Sequence, residues 1–279
     1  DDKSLVYEGA PLERDVEILG FPRALLNVST DATQANWFAR LSDVAPDGRV
    51  TLITGAALNG THRSSSLEPE ALDPGEVYPL DIELHFTSWV FPKGHRVRLS
   101  ISNAQWPMFW PTPYPMTTAL HLGDTTPTRL VLPVVPHVDR PTPRFLPPAQ
   151  DPVLSGYEAV EDGTISSYSE VDEVQRDEES GTATVVMRNR TARRYPWGVH
   201  EVVERITHQT NDRRPDMTSV VGDYSITVRL PERTLFFQGV LDFRSDRGNF
   251  HIVYTRRLKR DGKLVRARTW SETIPRDFQ

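Results

Sequence analysis

Along most of this chain apolar side chains recur at every second position, and that period, more than any other property, limits how it can fold. Leu80, Ile82, Leu84 and Phe86 alternate with Asp81, Glu83, His85 and Thr87. Val97, Leu99 and Ile101 alternate with Arg96, Arg98, Ser100 and Ser102, and Tyr224, Ile226, Val228 and Leu230 with Ser225, Thr227 and Arg229. Successive side chains of a strand point to opposite faces, so this spacing describes strands buried on one side. Helical spacing is scarcely present. Turn signals separate the runs: Asp47-Gly48, Asp73-Pro74-Gly75, Pro92-Lys93-Gly94 and Asp261-Gly262 each supply a glycine where a turn needs positive φ. Further strands are predicted near 25–29, 37–44, 49–54, 118–122 and 129–134, then at 235–243, 250–259 and 264–270.

Prolines divide the chain. Pro133, Pro136, Pro141, Pro143, Pro147, Pro148 and Pro152 fall within twenty residues, a density that forbids ladder pairing and favours stiff extended chain. The 279 residues suffice for two separate apolar cores. The expected organisation is a domain over 1–136, a Pro-rich linker over 137–152 and a second domain over 153–279. Many short strands in the first half predict an all-β, two-sheet antiparallel sandwich of jelly-roll type. Longer strands and short turns in the second half predict an up-and-down antiparallel sheet, strongly curved or partly closed. The acidic stretch 172–179 and the basic stretch 188–194 flank one of its strands, where they can pair across the sheet.

Catalytic and ligand motifs are scarce. No serine has a glycine two positions before it, so the Gly-x-Ser-x-Gly elbow of α/β-hydrolases is absent. A triad assembled from scattered residues stays open, because geometry rather than order defines it. The chain has no cysteine, and its eight histidines form no His-x-His or His-x-x-x-His pair, so neither a metal site nor a cofactor is expected. His200-Glu201-Val202-Val203-Glu204 lacks the second histidine of a zinc-protease helix and reads as strand, where residues four apart lie about 13 Å from each other. Arg188, Arg190, Arg193 and Arg194, followed by Tyr195 and Trp197, have the character of a single-strand nucleic-acid groove. Outward arginines balanced by the nearby acidic run explain them more simply. A formal charge of −6 gives no field toward nucleic acid or anionic membrane. No apolar run approaches a membrane span, and the first ten residues lack a charged-then-apolar leader. A cytoplasmic location is the default expectation.

The most unusual segment is Trp106-Pro107-Met108-Phe109-Trp110-Pro111-Thr112-Pro113-Tyr114-Pro115, whose prolines prevent pairing and hold large rings on a stiff loop. Trp106, Phe109, Trp110 and Tyr114 are the candidate site residues. They can wall a ligand pocket, cap the end of the sandwich, or form the docking surface for a neighbouring domain. Trp37, alternating with Ala39 and Leu41, reads as core.

A collinear series of fragments resembles a known family. Leu5-Val6-Tyr7, Ala10-Pro11-Leu12, Asp15-Val16-Glu17-Ile18, Val28-Ser29-Thr30-Asp31, Phe38-Ala39-Arg40-Leu41, Asp43-Val44, Pro46-Asp47-Gly48 and Gly94-His95-Arg96-Val97-Arg98 look like the C-terminal domain of X-Pro dipeptidyl-peptidases and cocaine-esterase-like hydrolases, peptidase family S15. The resemblance runs from Leu5 to Val135. It implies a galactose-binding-like jelly roll that packs on an α/β-hydrolase catalytic domain absent from this chain. The family's catalytic residues lie in that domain, and none transfers. Ile274-Pro275-Arg276-Asp277 is similar to the end of a C-terminal β extension found in one subgroup. The implied function is a non-catalytic accessory region that shapes a substrate pocket or a homo-oligomer interface. The alternatives are a free-standing carbohydrate-binding module, with the 106–114 loop stacking on a sugar, and an enzyme with an unrecognised site.

Overall fold

The computed structural model describes residues 3–123, 127–136, 141, 143–149, 154–159 and 173–279. Among them the regular structure is strand, apart from one 3-10 turn at Gly60–His62. The chain forms two compact units, Asp1–Pro143 with Phe278–Gln279, and Arg144–Asp277. Of the Pro-rich stretch, residues 137–140, 142 and 150–152 lie outside the described residues, and 143–149 are exposed and without strand.

The first unit contains β1 (Leu5–Glu8), β2 (Val16–Gly20), β3 (Arg23–Thr30), β4 (Asn36–Val44), β5 (Val50–Asn59), β6 (Tyr78–Glu83), β7 (Thr87–Phe91), β8 (Arg96–Ser102), β9 (Thr118–Leu120) and β10 (Arg129–Val131). One antiparallel sheet has the order β1-β8-β4-β5. Facing it, β3 pairs with β6 on one side and with β9 and β10 on the other, while β2 and β7 form a separate pair. Ala24, Leu26, Val28, Leu80, Ile82 and Phe91 from this second layer meet Trp37, Ala39, Leu41, Leu99 and Ile101 from the first in one buried cluster. Trp37 is 2% exposed. That is the sandwich predicted from the alternation, with Trp37 in its core.

One predicted strand breaks in two. Leu80, Ile82 and Leu84 are buried as the alternation requires, but Phe86 is 58% exposed. Pairing with β3 stops at Glu83, and the chain restarts at Thr87 as β7, paired with β2. Phe86 instead meets Phe21 edge-on, with ring centroids 5.5 Å apart. Periodicity continued through a change of partner.

The second unit is a meander of β11 (Glu158–Ala159), β12 (Glu173–Asp177), β13 (Thr182–Tyr195), β14 (Gly198–Asn211), β15 (Ser219–Leu230), β16 (Arg233–Ser245), β17 (Asn249–Arg260) and β18 (Lys263–Pro275). Strands β13 to β18 follow one another in sheet order, and β11 and β12 share the outer edge of β13. The Asp261-Gly262 turn has both residues at positive φ, as a two-residue hairpin turn requires. Among the described residues the ladder does not close: β18 pairs only with β17. Cross-strand partners place His200, Val202, Glu204, Ile206 and His208 of β14 on the face that carries Val220, Tyr224 and Ile226 of β15 and Phe237, Leu241 and Phe243 of β16. Most of these residues are apolar, and all are half-buried.

Candidate functional site

The 106–114 loop leaves β8 and folds back over the sheet that β8 belongs to. Phe38 sits between Trp37 and Ala39, so it points away from the sandwich core, yet it is 1% exposed. Phe109 covers it, edge-on, with centroids 4.8 Å apart. Trp106, whose bond to Pro107 is cis, meets Trp110 edge-on at 5.7 Å. These rings and Phe38 line a space of only about 10 Å³, barely room for one water. The loop therefore caps the outer face of β4, and its rings are spent on each other. Tyr114 is half-buried and does not line that space. Met108 and Phe109 present the apolar surface that remains, at 74% and 45% exposure.

The residues of the family-like motifs build a polar node at one end of the sandwich. Asp43 of β4 points to the core side and is 4% exposed. Its carboxylate accepts from Trp89 Nε1 of β7 at 3.2 Å and is hydrogen-bonded to His95 Nδ1 at 2.8 Å. One buried acid thus ties the two layers to the turn between β7 and β8. That turn is held from outside as well: Gly94 N and Leu12 N bond the carbonyls of Leu12 and His95, and Lys93 N donates to Asp15. Gly94 has φ +84°, which explains a glycine at that motif position. No spacing rule flagged this node, because its members lie far apart in sequence.

Asp43 and His95 have the arrangement of the acid and base in a Ser-His-Asp triad, but among the described residues no hydroxyl hydrogen-bonds to His95. Conversely, Ser29 Oγ lies 2.8 Å from His121 Nε2, and among the described residues, which do not include Asp124, no carboxylate bonds His121. The two half-triads are separate pairs. Among the described residues no group of three His, Asp or Glu converges as metal ligands.

In the second unit the His200–Glu204 stretch is strand, as read from the sequence. Glu201 faces away from His200 and Glu204 and receives Arg190 at 3.0 Å and Arg229 at 2.8 Å. Hydrogen bonding from Arg229 is the main reason its carboxyl titrates below the ordinary range. Three of the four arginines of the basic stretch thus meet acids, only in part those of the expected run. Arg188 reaches the acidic run at Glu173, whereas Arg190 meets Glu201 and Arg194 meets Glu158. Asp172 lies outside the described residues. The Ile274-Pro275-Arg276-Asp277 motif clasps the turn between β16 and β17. Arg276 is 4% exposed, its backbone N–H donates to Gly248, its Nη1 donates to the Asp246 carbonyl at 3.0 Å, and its guanidinium lies over Phe250.

Two carboxylates of this unit respond to acid in opposite senses. Asp246 accepts from His251 and from the N–H groups of Gly248 and Asn249, which hold its pKa down to about 2. Its contribution is present above the ordinary 3.8 and disappears as pH falls toward 2. Burial on the apolar face raises the pKa of Glu204, so its ionised form disfavours folding and stability drops as pH rises through that pKa. Thermal unfolding is expected to show Glu204→Gln melting above the parent at pH 7 and level with it near pH 4. Asp246→Asn is expected to melt below the parent at pH 7, the difference closing toward pH 2.

The described residues thus define an all-β, two-unit class of protein, an antiparallel sandwich followed in sequence by a meander, and no serine, histidine and aspartate assemble into a triad among them. The chain belongs to the family of X-Pro dipeptidyl-peptidase C-terminal non-catalytic domains, which matches residues 1–140. Cocaine esterase of Rhodococcus sp. (strain MB1 Bresler) is 30% identical over 148 residues, which cover 48% of this chain and 26% of the esterase. Among solved structures, an aminopeptidase from the marine sediment archaeon Thaumarchaeota archaeon matches with a TM-score of 0.46 at 22% identity, over 49% of this chain and 26% of that one. An α-amino acid ester hydrolase matches with a TM-score of 0.46 at 22% identity, over 48% of this chain and 26% of that one. The chain spans about a quarter of the length of these relatives. No helix among the described residues is long and apolar enough to cross a membrane.

Proposed function

We propose that this chain is the non-catalytic C-terminal region of a serine hydrolase that cleaves acyl or peptidyl substrates. Its first unit docks on an α/β-hydrolase catalytic domain and shapes the substrate pocket from the side of the 106–114 loop. The observation that carries this reading is the family membership of residues 1–140. The half-triads at Asp43 and Ser29 agree with chemistry located elsewhere. Exposed Met108 and Phe109, the latter packed on Phe38, offer an apolar contact of the kind that positions a neighbouring domain. Edge-on packing of Trp106 against Trp110 leaves no flat pair of rings for a sugar, so the carbohydrate-binding alternative gains no support.

The coding frame before Asp1 is expected to encode a Gly-x-Ser-x-Gly domain. In the parent enzyme, Met108→Ser with Phe109→Ser is expected to lower kcat/KM by about tenfold or more while leaving the melting of the second unit unchanged. An initiation codon at this position with no hydrolase domain beside it would overturn the proposal, as would covalent labelling of this chain alone by an active-serine probe.

A further inference from the structure

Outside its last hairpin, the sheet of the second unit pairs most of its arginines with acids. Arg176 meets Asp212 and Glu178, Arg188 meets Glu173, Arg190 and Arg229 share Glu201, and Arg244 meets Asp242. The β17–β18 hairpin breaks that rule. Residues 255–270 carry Arg256, Arg257, Lys259, Arg260, Lys263, Arg266 and Arg268 against one acid, Asp261, in a chain whose net charge is −6. Among the described residues, only Arg260 forms an ion pair with that acid, at 3.7 Å. Arg256 stands directly opposite Arg268, a like-charge cross-strand pair that costs stability.

Four of these cations, Arg256, Arg257, Arg266 and Arg268, border one cleft. Arg256, Arg266 and Arg268 lie on the face that also carries Phe237, Leu258 and Trp270, and together they line a cavity of about 310 Å³, the size of a small-ligand site. The guanidiniums are braced rather than loose. Arg268 lies over the Trp270 ring at 4.7 Å, and Arg256 lies over Trp270 and Tyr254 while its Nε donates to Tyr254 Oη at 3.2 Å. Gly239, opposite Arg256, gives Tyr254 its place, since a Cβ there would come within 2.7 Å of the phenol oxygen.

We propose that this cleft binds a small organic anion, a carboxylate or phosphate carried on an aromatic or acyl body. The anion relieves the repulsion between Arg256 and Arg268 and takes charge-assisted hydrogen bonds from their forks. The body lies against Trp270, Phe237 and Leu258. The proposal concerns this unit alone and does not depend on the role assigned to the first.

Calorimetric titration of the full chain with phenyl phosphate, inorganic phosphate and benzyl alcohol tests it. Saturable binding of phenyl phosphate is expected, with each of the other two at least about tenfold weaker. Arg256→Gln and Arg268→Gln are each expected to weaken phenyl phosphate by about tenfold or more. Lys263→Gln, which removes the same charge from the same hairpin outside the cleft, is expected to leave it unchanged. Should a glutamine variant fail to fold by circular dichroism, Arg268→Lys and Trp270→Leu replace it, and both are expected to weaken binding. No saturable binding, equal binding of inorganic phosphate, or an equal loss in Lys263→Gln would overturn the proposal.

Discussion

Asp43→Ala is expected to cost the first unit about 2–4 kcal/mol, because it strands two donors at once in a place water barely reaches. Trp89 Nε1 and His95 Nδ1 both lose their acceptor, and the methyl group left behind cannot bridge the layers. Asp43→Asn keeps one carbonyl oxygen and is expected to lose about half as much. Urea unfolding followed by hydrogen exchange localises the effect: the amides of β4 and β8 should lose protection at lower urea, while those of β15 and β16 keep theirs. Uniform loss across both units would contradict the assignment. A parent-like midpoint for Asp43→Ala would mean that the node does not hold the sandwich together.

The second large effect is expected from a single methyl group. Gly198 opens β14 after the Pro196-Trp197 turn, at φ +151°, and a Cβ there would lie 2.1 Å from the backbone oxygen of Arg229. Backbone cannot rotate aside as a side chain can, so Gly198→Ala must part β14 from β15 at that end. A loss of about 2–3 kcal/mol is expected, together with loosening of the stack between Tyr195 and Trp197. Gly222, in the middle of β15, supplies the contrast. Its nearest neighbour would be the Cβ of Leu241 at 4.0 Å, and Gly222→Ala is expected to be neutral or to stabilise by about 0.5–1 kcal/mol. Thermal melts of the two variants side by side check both statements.

How much of this was legible in the sequence depended on whether the physics was local. Strand alternation and the Asp261-Gly262 turn are local, and they placed β3, β4, β8, β16 and β17 to within about two residues, whereas β15 begins earlier and β18 ends later than the alternation marks. Strand exchange between sheets is not local: nothing between Leu84 and Thr87 announces that the chain leaves β3 for β2, since the apolar period runs on unbroken. Strand β1 is exposed at every residue, so burial gave it no signature, and only its pairing with β8 makes it a strand. The 106–114 loop was recognisable as unusual because prolines and rings declare themselves. Its contact with Phe38 was not, because Phe38 seemed to be the outward half of a half-buried strand. Asp43, His95 and Trp89 were present as fragments of a family-like pattern, but a hydrogen-bond node across 46 to 52 residues has no periodic signature. The arginines of β17 and β18 went unremarked for the opposite reason. Alternating basic residues on a terminal hairpin look like ordinary solvated strand until cross-strand register shows which of them face each other.

The outermost strand of the meander has a colloidal consequence. Among the described residues strand β18 pairs on one side only, so its 13 residues offer an edge of backbone amides and carbonyls outside the ladder, and such an edge templates pairing with another copy. Lys263, Arg266 and Arg268 make that approach one between like charges, and in physiological salt the repulsion reaches about 8 Å, beyond the strand spacing of about 4.8 Å. The same arginines that crowd the cleft therefore also guard the molecule against fibre-like stacking, and a substitution that neutralises them trades solubility as well as charge.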